Sequence, residues 1–321
     1  MSYLTNFPYG VSSNGVPLLG GGIPATAGTY YFVDATNGYD GNDGRSWDTA
    51  VKTVAQAYSL VTTNKDDVIV LSTISTHTLT AFLDVTKSRV HFVGDTFGRI
   101  YGQGAKIALA GTAVTDIHMV SNTGTRNTFT GIKFIASNTA TETTAAVGEG
   151  GEYTVYTNCS FEGAKMTTTG YADLLLNSDG GQFINCTFGN TSTPAVGAII
   201  RPNIITTAGG VASGVGSSKD VLFRGCKFLR HHGGTQGAFV NVVADADITR
   251  GFIEFENCSF IAASTGAEPA VAIKLGASLT NSEVILSGST VGYNVSTMAT
   301  GTGVIAGNGT PTSITIGIQS T

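Results

Sequence analysis

Charge is scarce in this chain of 321 residues: only 12% are Asp, Glu, Lys or Arg, about half the share usual in soluble proteins. The net charge is −5 and basic residues never cluster, so the footprint of a phosphate-binding surface is missing and nucleic acid is not an expected partner. No apolar run approaches the roughly 18 residues of a membrane span, and residues 1–29 have neither a basic start nor a continuous apolar stretch of the secretory kind. No membrane partner is therefore expected, and assembly is expected in the cytoplasm of the cell that makes the chain. Four Cys without a C-x-x-C pair give neither a disulfide-dense scaffold nor a zinc signature. Proline is rare, at 7 residues, whereas Gly reaches 43 and Thr, Ser and Asn fill the polar positions. Thr and the other β-branched residues suit pleated surfaces, so the composition points to an extended all-β structure, which can run to this length as one unit.

The cysteines mark a repeat. Tyr156-Thr157-Asn158-Cys159-Ser160-Phe161 recurs as Phe183-Ile184-Asn185-Cys186-Thr187-Phe188, Phe223-Arg224-Gly225-Cys226-Lys227-Phe228 and Phe255-Glu256-Asn257-Cys258-Ser259-Phe260. Weaker copies stand at Phe129–Phe134 and Leu286–Val291, with Phe92-Val93-Gly94 as an earlier partial one. The fourth positions fall at 132, 159, 186, 226, 258 and 289, so steps of 27 to 40 residues surround a fixed core phrase. The third position is always Asn or Gly, the residues that tolerate the left-handed conformation and bend one strand into the next without a long loop. The phrase thus predicts strand, sharp bend, strand, with the first, fourth and sixth side chains inward and the second and fifth outward. Asn158, Asn185 and Asn257 with Gly131, Gly225 and Gly288 should form one stacked row, and Cys159, Cys186, Cys226 and Cys258 a buried, reduced interior ladder. Stacked bends at this period make a β-solenoid; an antiparallel sandwich has no reason to repeat a bend residue in register.

Ahead of the coils lie Tyr30-Tyr31-Phe32-Val33-Asp34, a Gly/Asp/Asn loop from Asn37 to Gly44, and an Ala/Val-rich stretch from Thr49 to Val61. Thr53 with Gln56 three residues on forms a capping box, and Val54, Ala57, Tyr58 and Val61 share a helical face. This predicts a short helix closing the open end of the solenoid, where an uncovered core and a free sheet edge would invite aggregation. Asp40, Asn42 and Asp43 offer oxygen ligands for Ca²⁺, but they do not follow the EF-hand order, and Asn/Asp/Gly clusters commonly make turns. No cofactor is expected.

Polysaccharide cleavage needs paired carboxylates, or an acidic metal cluster beside a basic residue. The outward fifth positions read Lys133, Ser160, Thr187, Lys227, Ser259 and Thr290, without a carboxylate, and the second positions hold one acid, Glu256, one coil from Arg224, which reads as a surface ion pair. Asp245 and Asp247 near Arg250, Asp173 and Asp179 flanking Asn177, and Glu149 with Glu152 read as solvated loops rather than acid/base couples. His231-His232 before Gly233-Gly234 has no further ligand at metal spacing. No catalytic residue is assigned.

Phrase and spacing resemble the right-handed parallel β-helix of the pectate-lyase-like superfamily, over about three quarters of the chain, and residues 30–61 look like the start of many phage and bacterial β-helix proteins. That resemblance implies fold far more than function, since the architecture serves lyases, hydrolases, tailspikes and structural virion proteins. From Met1 to Val33, and again after Glu283, no charged residue occurs. Leu4, Phe7, Tyr9, Val16, Leu18, Leu19 and Ile23 in the first segment are too apolar for a solvated linker. The expected organisation is an uncharged docking arm at 1–28, a leading strand, loop and capping helix at 29–66, and a β-helix with a C-terminal packing segment at 67–321. Two functions stay open. One is a non-enzymatic phage virion protein, such as a capsid decoration protein, a homotrimer that docks by its arm on the major capsid protein or neighbouring subunits. The other is a tailspike-like carbohydrate-binding protein or depolymerase acting on a surface glycan.

Overall fold

A computed structural model describes residues 28–94, 103–109, 118–136, 145–163, 172–189, 204–206, 218–230, 238–242, 251–262, 271–275 and 283–291, together with the backbone at 12–13, 16–17, 297–300 and 304–306. The described strands wind as a right-handed parallel β-helix. From Asp67 onward they fall in turn into three parallel sheets, so Asp67–Leu71, Thr76–Leu79 and Leu83–Val85 make one coil, and Val90–Gly94 begins the next on top of the first strand. The first sheet has ten strands, from Tyr30–Val33 to Val304–Ala306, and the other two have eight each. Ser12–Ser13 pairs antiparallel with Val16–Pro17.

The repeated phrase sets the corner between the first and second sheets. Asn158, Asn185 and Asn257 take φ of 54°, 53° and 52°, and Gly131, Gly225 and Gly288 of 68°, 63° and 59°, so every third position lies in the left-handed region. Phe92-Val93-Gly94 stands in register with Phe129 and Thr130 as an earlier copy, but the left-handed bend does not extend to Gly94. Gly94 ends its strand without a positive φ, and the next strand of the second sheet begins only at Ala105. Glycine is still needed there, because a Cβ would stand 2.4 Å from the Gly131 carbonyl oxygen.

Inside the corner, first and sixth positions form two aromatic columns. Phe92, Phe129, Tyr156, Phe183, Phe223 and Phe255 stack at 4.7 to 4.9 Å between centroids, close to the spacing of adjacent strands. Phe134, Phe161, Phe188, Phe228 and Phe260 stack alongside, meeting the first column edge-on. Between the columns the four cysteines are buried and free. Each thiol donates to the carbonyl of a first-position residue in the coil before: Cys159 to Phe129, Cys186 to Tyr156, Cys226 to Phe183 and Cys258 to Phe223, at 3.2 to 3.5 Å. Ser289, the next fourth position, donates likewise to Phe255, at 2.8 Å. The position therefore selects a small side chain with a donor. Burial pushes the thiols of Cys159, Cys186 and Cys226 well above the usual range, which keeps them protonated and inert.

The leading segment closes the solenoid as its sequence predicts, with different chemistry at the helix ends. The helix runs Val54–Leu60, and the Thr53 hydroxyl accepts from the Gln56 amide at 3.1 Å. The reciprocal half of the box is absent: the Thr53 amide donates to Asp40 Oδ1 at 2.8 Å instead. At the other end Lys87 Nζ, from the first coil, donates to the carbonyls of Tyr58 and Val61, both at 2.8 Å, satisfying groups that a helix C-terminus leaves open. Tyr58 lies over Phe92, so the cap continues the aromatic column. Among the described residues no helix is long and apolar enough to cross a membrane.

Candidate functional site

Alternation along the strands puts second and fifth positions on the outside, and most are partly exposed. Ser160 and Thr187 are exceptions: they are buried, at 8% and 6% exposure. Gln103, itself buried, accounts for the first, accepting from the Ser160 hydroxyl and donating to the Asn158 carbonyl, both at 2.8 Å. Gln103 follows Gly94 by nine residues yet reaches a corner two coils further on, a long-range contact that no local pattern announces. On the remaining outer rows Arg224 Nε meets Glu256 Oε2 at 2.6 Å, as the sequence suggests, and Lys133 Nζ meets Glu162 Oε1 at 2.5 Å. Solvent-accessible pairs of this kind contribute about 1 kcal/mol at most; Arg224 and Glu256 stand in direct register, whereas Lys133 reaches diagonally to Glu162, which is paired with Ile135.

The loop from Asn37 to Gly44 uses its polar groups on the chain itself. Asp40 accepts from the amides of Lys52 and Thr53 and from the Thr53 hydroxyl, at 2.8 to 3.0 Å. Asn42 donates to the Ala50 carbonyl and Asp43 accepts from the Arg45 amide. The three candidate Ca²⁺ ligands thus point to three different partners. Among the described residues no three His, Cys, Asp or Glu side chains gather as a metal site. Replacing Asp40 with alanine removes an acceptor from three donors at the start of the helix and should cost about 1 to 2 kcal/mol, read as a lower denaturation midpoint with the same transition slope. No change in midpoint would show that Asp40 is dispensable to the cap.

Beside this loop a pocket of about 250 Å³ is lined by Lys52, Thr53, Thr76, His77 and Thr78, among others. His77 Nε2 lies 2.9 Å from the Ser72 carbonyl oxygen, and burial holds its pKa below the ordinary histidine value. Neutral imidazole donating from Nε2 fits that geometry. The pocket lining contains no carboxylate, so it presents no acid/base couple.

Two sequence candidates are corrected by burial. Glu149 is fully buried, and Asp173 and Asn177 are buried at 1% and 0% exposure, not solvated. Asp173 accepts from the Gly163 amide at 2.8 Å. Glu149 lies where the third sheet turns into the first. Its Oε2 accepts from Tyr156 hydroxyl at 2.6 Å and its Oε1 from the Gly151 amide at 2.7 Å, while Asn122 Nδ2 reaches both oxygens, at 2.8 and 3.0 Å. Asn127 Nδ2 donates in turn to Asn122 Oδ1 and the Lys87 carbonyl, and Asn127 Oδ1 accepts from the Val90 amide. Sequence reasoning missed this network, although a signal existed. Asn122 and Glu149 are directly paired in the third sheet and stand 27 residues apart, the step between Ile132 and Cys159.

Asp179 forms isolated bridges with Glu152 and Lys219 through its backbone, which sets it in register with Glu152 of the preceding coil. Leu4, Phe7, Tyr9, Leu18, Leu19 and Ile23, the side chain of Val16, and the candidates His231, His232, Asp245, Asp247 and Arg250 lie outside the described residues.

No protein-family profile matches the chain, and no curated protein matches its sequence. Solved structures do match its shape. The pectate lyase Pel9A shares 14% identity at a TM-score of 0.58, over 85% of this chain and 68% of that one. A pectin methylesterase from Aspergillus niger shares 13% at 0.54, over 92% and 93%. A pectin methylesterase in complex with a hexasaccharide shares 14% at 0.52, over 87% and 81%. At such identities the likeness is one of fold alone, the parallel β-helix.

Proposed function

We propose that this chain is a non-enzymatic structural protein of a phage virion, a head-surface protein that projects its β-helix from the capsid. The observation that carries the non-enzymatic part is the occupation of the acids. Asp40, Asp173 and Glu149 accept from backbone amides or buried side chains, and Glu162 and Glu256 pair with a base in an adjoining coil. A general acid and base need carboxyl groups facing one substrate with separated pKa values, whereas these hold turns and coils together. The virion part rests on the resemblance of residues 30–61 to phage β-helix proteins and on the uncharged ends of the chain, which suit packing on other subunits.

A second reading, a glycan-binding or depolymerising protein, is favoured by the fold shared with the pectate lyase and pectin methylesterases named above. Incubating the full chain with pectin, polygalacturonate and bacterial surface polysaccharides separates the two. The structural reading expects no unsaturated sugar, no new reducing end and no released methanol. Turnover on any of these substrates would establish the second reading in its place.

A further inference from the structure

We propose that the exposed strip around Tyr153, at the corner where the third sheet turns into the first, is a binding site for a neutral sugar ring of a glycan. Such a site holds its ligand without cleaving it, and its existence does not depend on the virion reading. The backbone gives the first reason. Asp66, Arg89, Arg126, Tyr153, Gly180 and Asp220 take φ between 53° and 66°. The amides of Arg89, Arg126, Tyr153 and Gly180 donate in turn to the carbonyls of Thr125, Glu152, Asp179 and Lys219, each in the coil that follows. These residues therefore form a second left-handed row. Every bend of the first row is Asn or Gly, whereas this one sets two arginines and a tyrosine in a conformation that disfavours large side chains. Arg89 is held by its pair with Asp66. Arg126 and Tyr153 point away from the core, Arg126 exposed and Tyr153 at 51% exposure.

The ring of Tyr153 rests on the next coil. A Cβ at Gly180 would stand 2.5 and 2.7 Å from its Cδ1 and Cε1, so a bare glycine backbone makes the seat. The guanidinium carbon of Arg126 lies 5.8 Å from the ring centroid. Beside the ring Glu152, Asp179 and Lys219 follow one another in register, all partly exposed. Among the described residues neither acid has an ion-pair partner.

An aromatic face carries negative charge density and attracts the C–H edges of a pyranose, which neighbouring oxygens polarise. Hydroxyls around the sugar then find carboxylate acceptors in Glu152 and Asp179 and cationic donors in Arg126 and Lys219. Two acids and two bases balance, so the strip favours no charge on the ligand. A protein partner fits less well. The other large apolar side chains exposed among the described residues, Tyr39, Trp47, Ile74 and Phe82, belong to the leading segment and the first coil. Tyr153 stands alone among charges, whereas the centre of a protein interface is depleted in them.

A single ring with a few polar contacts should bind with a dissociation constant of about 1 mM. The test uses the full chain with hexasaccharides of glucose, of mannose and of N-acetylglucosamine, and with hexagalacturonate. A neutral hexasaccharide at about 10 mM should slow nitration of Tyr153 by tetranitromethane about tenfold, read by mass spectrometry, and leave Tyr39, at 69% exposure, unaffected. Saturation-transfer NMR should show the same sugar bound to the wild type and to Tyr153→Phe, and not to Tyr153→Asn, which keeps a residue suited to the bend. The protection experiment needs no variant, so it decides the matter if Tyr153→Asn fails to fold. Absence of both signals with every neutral sugar, binding of hexagalacturonate alone, equal protection of Tyr39, or undiminished binding by Tyr153→Asn would each overturn the proposal.

Discussion

Phe183→Ala should destabilise the β-helix by about 3 to 5 kcal/mol, the upper range for truncating a buried aromatic residue. Phe183 has no exposed surface. Its ring lies between Tyr156, at 4.9 Å and 2°, and Phe223, at 4.7 Å and 8°, and its flank is closed edge-on by Phe161 and Phe188 at 6.1 and 5.9 Å. Collapse around the deleted ring is blocked, because the rings above and below belong to strands whose separation the backbone ladder fixes. The cavity therefore stays open, and in a one-dimensional stack it also weakens the contact between the two halves. Phe183→Leu fills part of the space and should lose about half as much. Equilibrium denaturation, or the rate of thermal inactivation if unfolding is irreversible, gives the ranking. A loss below about 1 kcal/mol for the alanine variant would mean that the columns do not carry the fold.

Gly225→Val should be the next most damaging substitution, while Gly225→Asn should be tolerated far better. Gly225 has φ of 63°, and a Cβ at that position would come within 2.5 Å of Asn185 Oδ1. A left-handed residue with a side chain costs roughly 1 to 2 kcal/mol, and β-branching makes the conformation a genuine outlier. Together with displacement of the Asn185 amide this amounts to about 3 kcal/mol or more for valine. Asparagine already follows asparagine at the step from Asn158 to Asn185, where both take the same left-handed φ, so the stack can accommodate a second amide. The expected order of melting temperatures is Gly above Asn above Val. Equal values for Gly and Val would remove the conformational account of the bend.

These two positions show why so much of the fold was legible. Phe183 and Gly225 recur in phrases whose internal spacing never changes, so the bend row, the cysteine ladder and the inward rings could be read from one chain. Thr53 was legible for a local reason, since an N-cap needs only its own next turn. Asp40, Gln103 and Lys87 were not. Asp40 reaches the helix start from 13 residues away, Lys87 reaches the carbonyls of Tyr58 and Val61 from 29 and 26 residues away, and Gln103 spans 55 residues to Asn158. Glu149 was misread because a neighbouring glycine suggests a loop, while only the coil register shows that its side chain turns inward beside Asn122. Function was less legible than fold, because the acids that could signal chemistry are single residues set by the coil, not a motif with its own spacing.

We propose that the β-helix serves a phage virion as structure, and electron cryo-imaging of native particles purified from cells that make the chain tests this most directly. The expected result is density for the three-sheeted solenoid on the head surface, contacting the major capsid protein. Particles that lack the chain, or that carry it only at the tail with a polysaccharide bound to it, would contradict the account.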